Sequence, residues 1–214
     1  MSAKRTAHSA RRSGAAPAAA ELRERIMSAT RELLRERRFD ALSVADILTA
    51  AEVSRASFYF YFPSKQAVLG ELVRAAVTQG QQAAQPWIDG QQDPAAALRA
   101  GVSDGARLWR ANAGVLMAIV ESWGSDDGLR ALWLEQMDLF TEAAAVRIRS
   151  DPEALRQLGD ADVRAVAASL TWLGERLYYL AAAGVPPFDN EQVLIDVLTN
   201  AWTAMLYGRS APVR

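Results

Sequence analysis

Few residues in this chain are equipped for covalent chemistry. There is no cysteine, which excludes disulfides, thiolate metal sites and cysteine nucleophiles. The single histidine is His8, in an N-terminal stretch that reads as a tail, so the folded part lacks the commonest general base and metal ligand. Gly101-Val102-Ser103-Asp104-Gly105 is a literal G-x-S-x-G. In hydrolases that motif is a strand-to-helix turn exposing its serine. Here it falls inside an amphipathic helical pattern, with no strand before it and no histidine to activate Ser103. No phosphate-binding glycine loop, H-E-x-x-H or calcium loop is present. The sequence therefore reads as a non-enzyme, with no cofactor expected.

Residues suited to non-covalent recognition are concentrated in Ser43–Lys65, SVADILTAAEVSRASFYFYFPSK. Ser43 is a good helix N-cap, and Asp46 three residues later completes a capping pattern. Val44, Ile47 and Leu48 repeat at helical spacing. Ser54 caps a second short helix over Arg55–Tyr61, Pro63 stops it, and Ser64 caps a third. Two short helices joined by a tight link form a helix-turn-helix, whose second helix fits the DNA major groove. On that helix Phe58 and Phe62 share one face and anchor it. Arg55, Ser57, Tyr59 and Tyr61 lie on other faces, suited to base edges and phosphates. A solvent-tipped aromatic core cluster is the alternative reading of F-Y-F-Y-F alone.

This stretch closely resembles the DNA-binding domain of the TetR family of bacterial regulators. S-R-A-S-F-Y-F-Y-F-P-S-K matches that family's most characteristic segment, and its wording is most similar to the EthR branch. The resemblance implies that Ser43, Ser54, Arg55, Ser57, Tyr59, Tyr61 and Lys65 are DNA-binding positions. Glu52 departs from the family, which usually has glycine at this left-handed turn. A non-glycine residue there costs roughly 1 kcal/mol and adds an anion near the phosphates.

Composition fits this reading. Half of the 214 residues are hydrophobic, enough for a substantial core. No apolar run approaches the ~20 residues needed to span a membrane. Net charge is only −1, but it is unevenly distributed. Residues 1–65 carry 12 Lys and Arg against 7 Asp and Glu, whereas residues 66–214 carry 12 against 18. The excess of positive charge accompanies the helix-turn-helix.

The sequence predicts an all-α fold of about nine helices and no strands. Residues 1–18 read as a disordered basic arm, with Lys4, Arg5, Arg11 and Arg12 able to follow phosphates or enter a minor groove. A solubilising tail and a transit peptide are the alternatives. Residues 19–63 read as the helix-turn-helix domain. Its first helix spans Ala19 to Arg37, with Leu22, Ile26, Ala29 and Leu33 buried. Residues 64–214 read as a ligand-binding and dimerisation domain. Its helices are expected at 64–84, 93–111, 114–123, 126–149, 160–183 and 189–207, with a polar connection from Gln79 to Gln92.

Six tryptophans, five of them in these later helices, lie near small residues such as Gly101, Gly105, Ala143 and Gly174. Large rings opposite small residues predict empty space, against the alternative of an ordinary aromatic core. The family resemblance, looser here, implies an apolar ligand pocket at Leu98, Val102, Gly105, Trp109, Trp133, Met137, Phe140, Thr171, Glu175 and Trp202. Gly105 and Ala143 stand where the EthR branch has aromatic residues, implying a differently shaped pocket. Glu175 is read either as a hydrogen-bonding group in that pocket or as an ion-pair partner of Arg107 or Arg110. Two apolar stripes occupy the last two helices: Val163, Val166, Ala167, Leu170 and Leu177, then Val193, Leu194, Val197, Leu198 and Met205. The resemblance implies that they pair across a homodimer axis; internal packing is the alternative.

The expected function is a ligand-responsive, DNA-binding repressor in the bacterial cytoplasm, associated with the nucleoid. It would leave a palindromic double-stranded DNA operator when a small apolar or amphipathic ligand binds. The rival readings are a small-molecule-binding helical protein with weak or lost DNA binding, and a helical enzyme.

Overall fold

The computed structural model describes residues 6–88 and 93–208, and every regular element among them is an α-helix. There are ten: α1 (Thr6–Glu36), α2 (Val44–Ala51), α3 (Arg55–Tyr61), α4 (Lys65–Ile88), α5 (Pro94–Ala111), α6 (Ala113–Ser122), α7 (Asp127–Arg149), α8 (Pro152–Leu158), α9 (Val163–Ala182) and α10 (Glu191–Tyr207). The chain divides into two compact units, one through Leu72 and one from Val73.

The first unit is built on capped helices. Ser43 and Asp46 form a reciprocal capping box: the Ser43 hydroxyl oxygen accepts from Asp46 N, and Asp46 accepts from Ser43 N at 2.7 Å. Ser54 accepts from Ser57 N at 3.0 Å, and Ser64 accepts from Ala67 N at 3.2 Å. Ile26, Phe39, Leu42, Ile47, Phe58, Phe62, Val68 and Leu69 make the core. The expected α1 stripe is rotated by about one position: Ile26, Met27, Thr30 and Leu34 are buried, whereas Leu22, Ala29 and Leu33 are half-buried. Thr30 escaped notice because it is polar, but its hydroxyl donates to Ile26 O at 2.8 Å, so burial leaves no orphan donor.

Three expected boundaries are corrected. Helix α1 begins at Thr6, not Ala19, so the arm expected to be disordered is helical from Thr6. Gly14 and Pro17 disfavour helix, but the surrounding alanines favour it strongly. Helix α4 continues through the expected polar connection to Ile88. The unit boundary falls at Leu72 and not at 63, because Val68, Leu69 and Leu72 are buried and Arg23 pairs with Glu71 at 2.6 Å within the first unit. Lys4, Arg5, and the side chains of Arg11 and Arg12, lie outside the described residues.

In the second unit α7 packs along α9, and α10 packs on α5, α8 and α9. One apolar cluster joins Leu98, Ala145, Ile148, Leu170 and Leu206. A second joins Val102, Ala106, Leu177, Leu194 and Leu198. Helix α8 lies between the helices expected at 126–149 and 160–183 and raises the expected nine to the ten among the described residues. Asp151 and Pro152 form the same cap-then-proline start as Asp93 and Pro94. Asp151 accepts from Glu153 N and Ala154 N, pairs with Arg147 at 3.2 Å, and accepts from Tyr207 Oη at 3.0 Å. Burial pushes its carboxyl up, but these hydrogen bonds and Arg147 together hold it below the ordinary value.

Candidate functional site

The reading helix is short but well fixed. Phe58 is fully buried and Phe62 nearly so, as their shared face predicts. Arg55 is exposed and has no ion pair or hydrogen bond among the described residues. Tyr59 is 47% exposed, with its ring set edge-on against Phe58. Tyr61 is half-buried against Phe60. Ser54 and Ser57 share a hydroxyl hydrogen bond at 2.9 Å.

Two of the expected DNA positions are already engaged. The Ser43 hydroxyl donates to Asp46 at 2.6 Å. Asp46 also pairs with Arg37 at 3.1 Å. Hydrogen bonds from the Ser43 hydroxyl and backbone, then from Arg37, hold the Asp46 carboxyl well below its ordinary value. The Lys65 ammonium donates to Phe39 O at 2.9 Å and Leu42 O at 2.5 Å, and lies 4.7 Å from the Phe39 ring centroid. It thus ties the start of α4 to the loop before α2, leaving one of its three N–H donors for anything else.

Glu52 has φ 52° and ψ 47°, the left-handed conformation expected at this turn. Its N–H donates to Leu48 O and Thr49 O. Arg25 steadies the helix end, donating to Ala51 O at 2.6 Å and Glu52 O at 3.1 Å. The Glu52 carboxylate itself is 87% exposed and lies 3.8 Å from Arg25.

The second unit contains a partly open cavity of about 190 Å³. One water needs only roughly 10–15 Å³, so this is not an incidental packing gap. All ten residues assigned to a pocket from the sequence line it: Leu98, Val102, Gly105, Trp109, Trp133, Met137, Phe140, Thr171, Glu175 and Trp202. Others missed there also line it, notably Val77, Gly80, Leu108, Leu116 and Tyr178. Val77 and Gly80 bring α4 into the wall, and Gly80 falls within the stretch expected to be a polar connection.

Two polar groups stand out against the apolar lining. Trp133 Nε1 is buried and finds no acceptor among the described residues. Glu175 is buried, and burial raises its carboxyl value, partly offset by Arg176 at 3.8 Å. Its expected partners are elsewhere: Arg107 pairs with Asp104 and Arg110 with Glu191. Gly105 does not face open space. A Cβ there would lie 2.6 Å from Tyr178 Oη and 2.9 Å from Tyr178 Cζ. Tyr178 cannot easily yield, since its hydroxyl donates to Val102 O at 3.0 Å and its ring stacks on Trp109. By contrast, a Cβ at Gly101 meets nothing within 4 Å.

Ser103 sits within α5 and donates to Arg99 O at 2.8 Å, a helical back-bond and not a nucleophile's setting. Among the described residues no group of His, Asp or Glu is arranged to hold a metal, and no helix is long and apolar enough to cross a membrane.

A capped helix-turn-helix followed by a helical unit with an apolar cavity defines a transcriptional regulator of the TetR type. Comparison with known proteins agrees. The model of bacterial regulatory proteins of the tetR family matches residues 26–72, and that of the EthR C-terminal domain matches 98–208. The chain belongs to the TetR family and, within it, to the EthR branch. It is 28% identical over 201 residues to the HTH-type transcriptional regulator EthR of Mycobacterium tuberculosis, covering 86% of this chain and 87% of the relative. Against the EthR of Mycolicibacterium smegmatis it is 26% identical over 198 residues, covering 92% and 91%. Its fold is shared by the fatty acid degradation regulator FadR of Bacillus halodurans, with a TM-score of 0.70, 16% identity, and coverage of 87% and 95%. The regulator PfmR of Thermus thermophilus aligns with a TM-score of 0.65, 20% identity, and coverage of 87% and 99%.

Proposed function

We propose that this regulator is a homodimeric repressor that leaves a palindromic operator when a small apolar ligand enters the second-unit cavity. The observation that carries the reading is the composition of the cavity wall: α4 contributes Val77 and Gly80, and the same helix begins at Lys65 in the DNA-reading unit. A ligand pressing on α4 would favour a conformation in which the two reading heads no longer match two half-sites. Arg55, Tyr59 and the Ser54–Ser57 pair are the proposed DNA contacts of α3, with Tyr61 at its flank. Ser43 and Lys65 act mainly by holding the helix-turn-helix in shape.

The test is a gel shift on duplex DNA from the gene's own upstream region, with and without a panel of apolar amides and esters. Retarded DNA that is released by a compound which also raises the protein's melting temperature supports the reading. Binding that no cavity ligand relieves would sink the ligand-responsive part. One observation favours a second reading: the exposed Glu52 carboxylate lies at the turn before α3. If Glu52 has abolished DNA binding, ligands will raise the melting temperature while no duplex is retarded, and Glu52→Gly will restore retardation.

A further inference from the structure

The outermost ridge of α3 carries no polar atom. At 3.6 residues per turn, Phe60 lies about 200° around the helix from the fully buried Phe58. It is 78% exposed, more than any other large hydrophobic residue among those described. Ala56, one turn earlier, shares that ridge and is also exposed. The polar side chains flank it: Arg55 and Tyr59 on one side, Ser57 and Tyr61 on the other. The Phe60 ring is not loose, because it meets the Tyr61 ring edge-on with centroids 4.9 Å apart.

We infer that Ala56 and Phe60 read thymine methyl groups on the floor of the major groove; this rests on the DNA-binding reading above. The groove floor is lined by hydrogen-bonding edges, and its one apolar feature is the thymine C5 methyl. A ring pressed there gains by covering a methyl. Pressed against a cytosine amino group or guanine O6, it strips water from a polar atom and supplies nothing in return. The ridge thus selects for thymine and against G·C pairs at the same positions. The flanking polar groups face the backbone walls, where they set register without reading sequence.

The experiment starts from duplexes that the full-length protein enriches from a random-sequence pool. Each thymidine of the enriched half-site is then replaced, one at a time, by deoxyuridine, which removes only the methyl. Wild-type affinity should fall about fourfold at one or two positions per half-site, the loss expected for one buried methyl. Phe60→Ala leaves the core untouched, and its unchanged melting curve would establish that. This variant should bind thymidine and deoxyuridine duplexes alike at the position Phe60 covers. Sequence-specific binding that ignores every deoxyuridine replacement overturns the inference and leaves the DNA-binding reading standing. A thymidine preference that Phe60→Ala leaves unchanged at every position also overturns it. Failure to enrich any duplex overturns both.

Discussion

At the scale of single residues, the cavity wall is decided by which groups can move. Gly101 and Gly105 lie one turn apart in α5 and both line the cavity, yet their surroundings differ. Gly101→Ala adds a methyl to open space and removes a flexible glycine from a helix interior, so it should stabilise by up to about 1 kcal/mol. Gly105→Ala drives a methyl into the anchored Tyr178 ring and should cost about 1–3 kcal/mol of overpacking, more than the helix gain offsets. Thermal melts of the two variants should therefore move in opposite directions; a rise for both would mean that Tyr178 gives way freely. Glu175 yields a prediction in pH. Its carboxyl value is raised above the ordinary 4.5 by burial. The folded chain thus holds this proton more tightly than the unfolded one, and stability falls as pH rises from near 4.5 through the raised value. Glu175→Gln carries no such charge, so its melting temperature relative to wild type should climb over that interval and then level off. A difference that stays flat with pH would show that Glu175 is not desolvated. Rings beside small residues pointed only to empty space; the ten positions that line the cavity came from the family resemblance. The obstruction at Gly105 was not legible, because it depends on a side chain 73 positions later, Tyr178, whose hydroxyl reaches back to Val102 O.

At the scale of elements, the serine-capped helix starts were the most readable features, and for a local reason. The Ser43, Ser54 and Ser64 caps are fixed by three or four neighbouring residues, whereas the left-handed turn at Glu52 was expected from the family resemblance alone. Helix α8 carries an equally local mark in Asp151-Pro152, although no helix was expected there. The face of α1 was less readable: burial of Thr30 depends on its bond to Ile26 O. The turn at Glu52 offers a test of the α2–α3 element. Its conformation favours glycine, so Glu52→Gly should stabilise by about 1 kcal/mol. The lost Arg25 contact subtracts little, because the carboxylate is 87% exposed. The same change removes an anion beside the reading helix, so DNA affinity should rise, and most at low salt. Melting and gel-shift measurements on this variant should move upward together. Unchanged affinity with higher stability would place the Glu52 carboxylate away from the phosphates.

At the scale of the whole molecule, the question is which surface joins two copies. The stripes read from the sequence are largely internal: Ala167, Leu170, Leu177, Leu194 and Leu198 are buried within one subunit. Their burial reflects the packing of α9 and α10 against α5, α7 and each other, which helical periodicity alone does not separate from an intersubunit face. What α9 and α10 leave outside is Leu173, 37% exposed and absent from those stripes, together with two of their members, Val197 at 41% and Met205 at 45%. The exposed Ser169 and Ala204 beside them are small enough for a second helix pair to approach closely. These outer faces are the proposed twofold contact, in which each exposed side chain meets the partner's copy of the same patch. Val197→Glu would place two carboxylates at or near that axis. It should convert the dimer to a monomer in sedimentation equilibrium while leaving the subunit's melting curve and ligand response nearly intact. Leu155→Glu, on α8 with a similar 39% exposure, is the matched control and should leave the dimer unchanged. Operator affinity should fall with dimerisation in Val197→Glu, because a single reading head forfeits the second half-site about 34 Å away. A Val197→Glu protein that stays dimeric would move the contact off these two helices. A monomer that holds the operator as tightly as wild type would instead remove the link between pairing and DNA recognition.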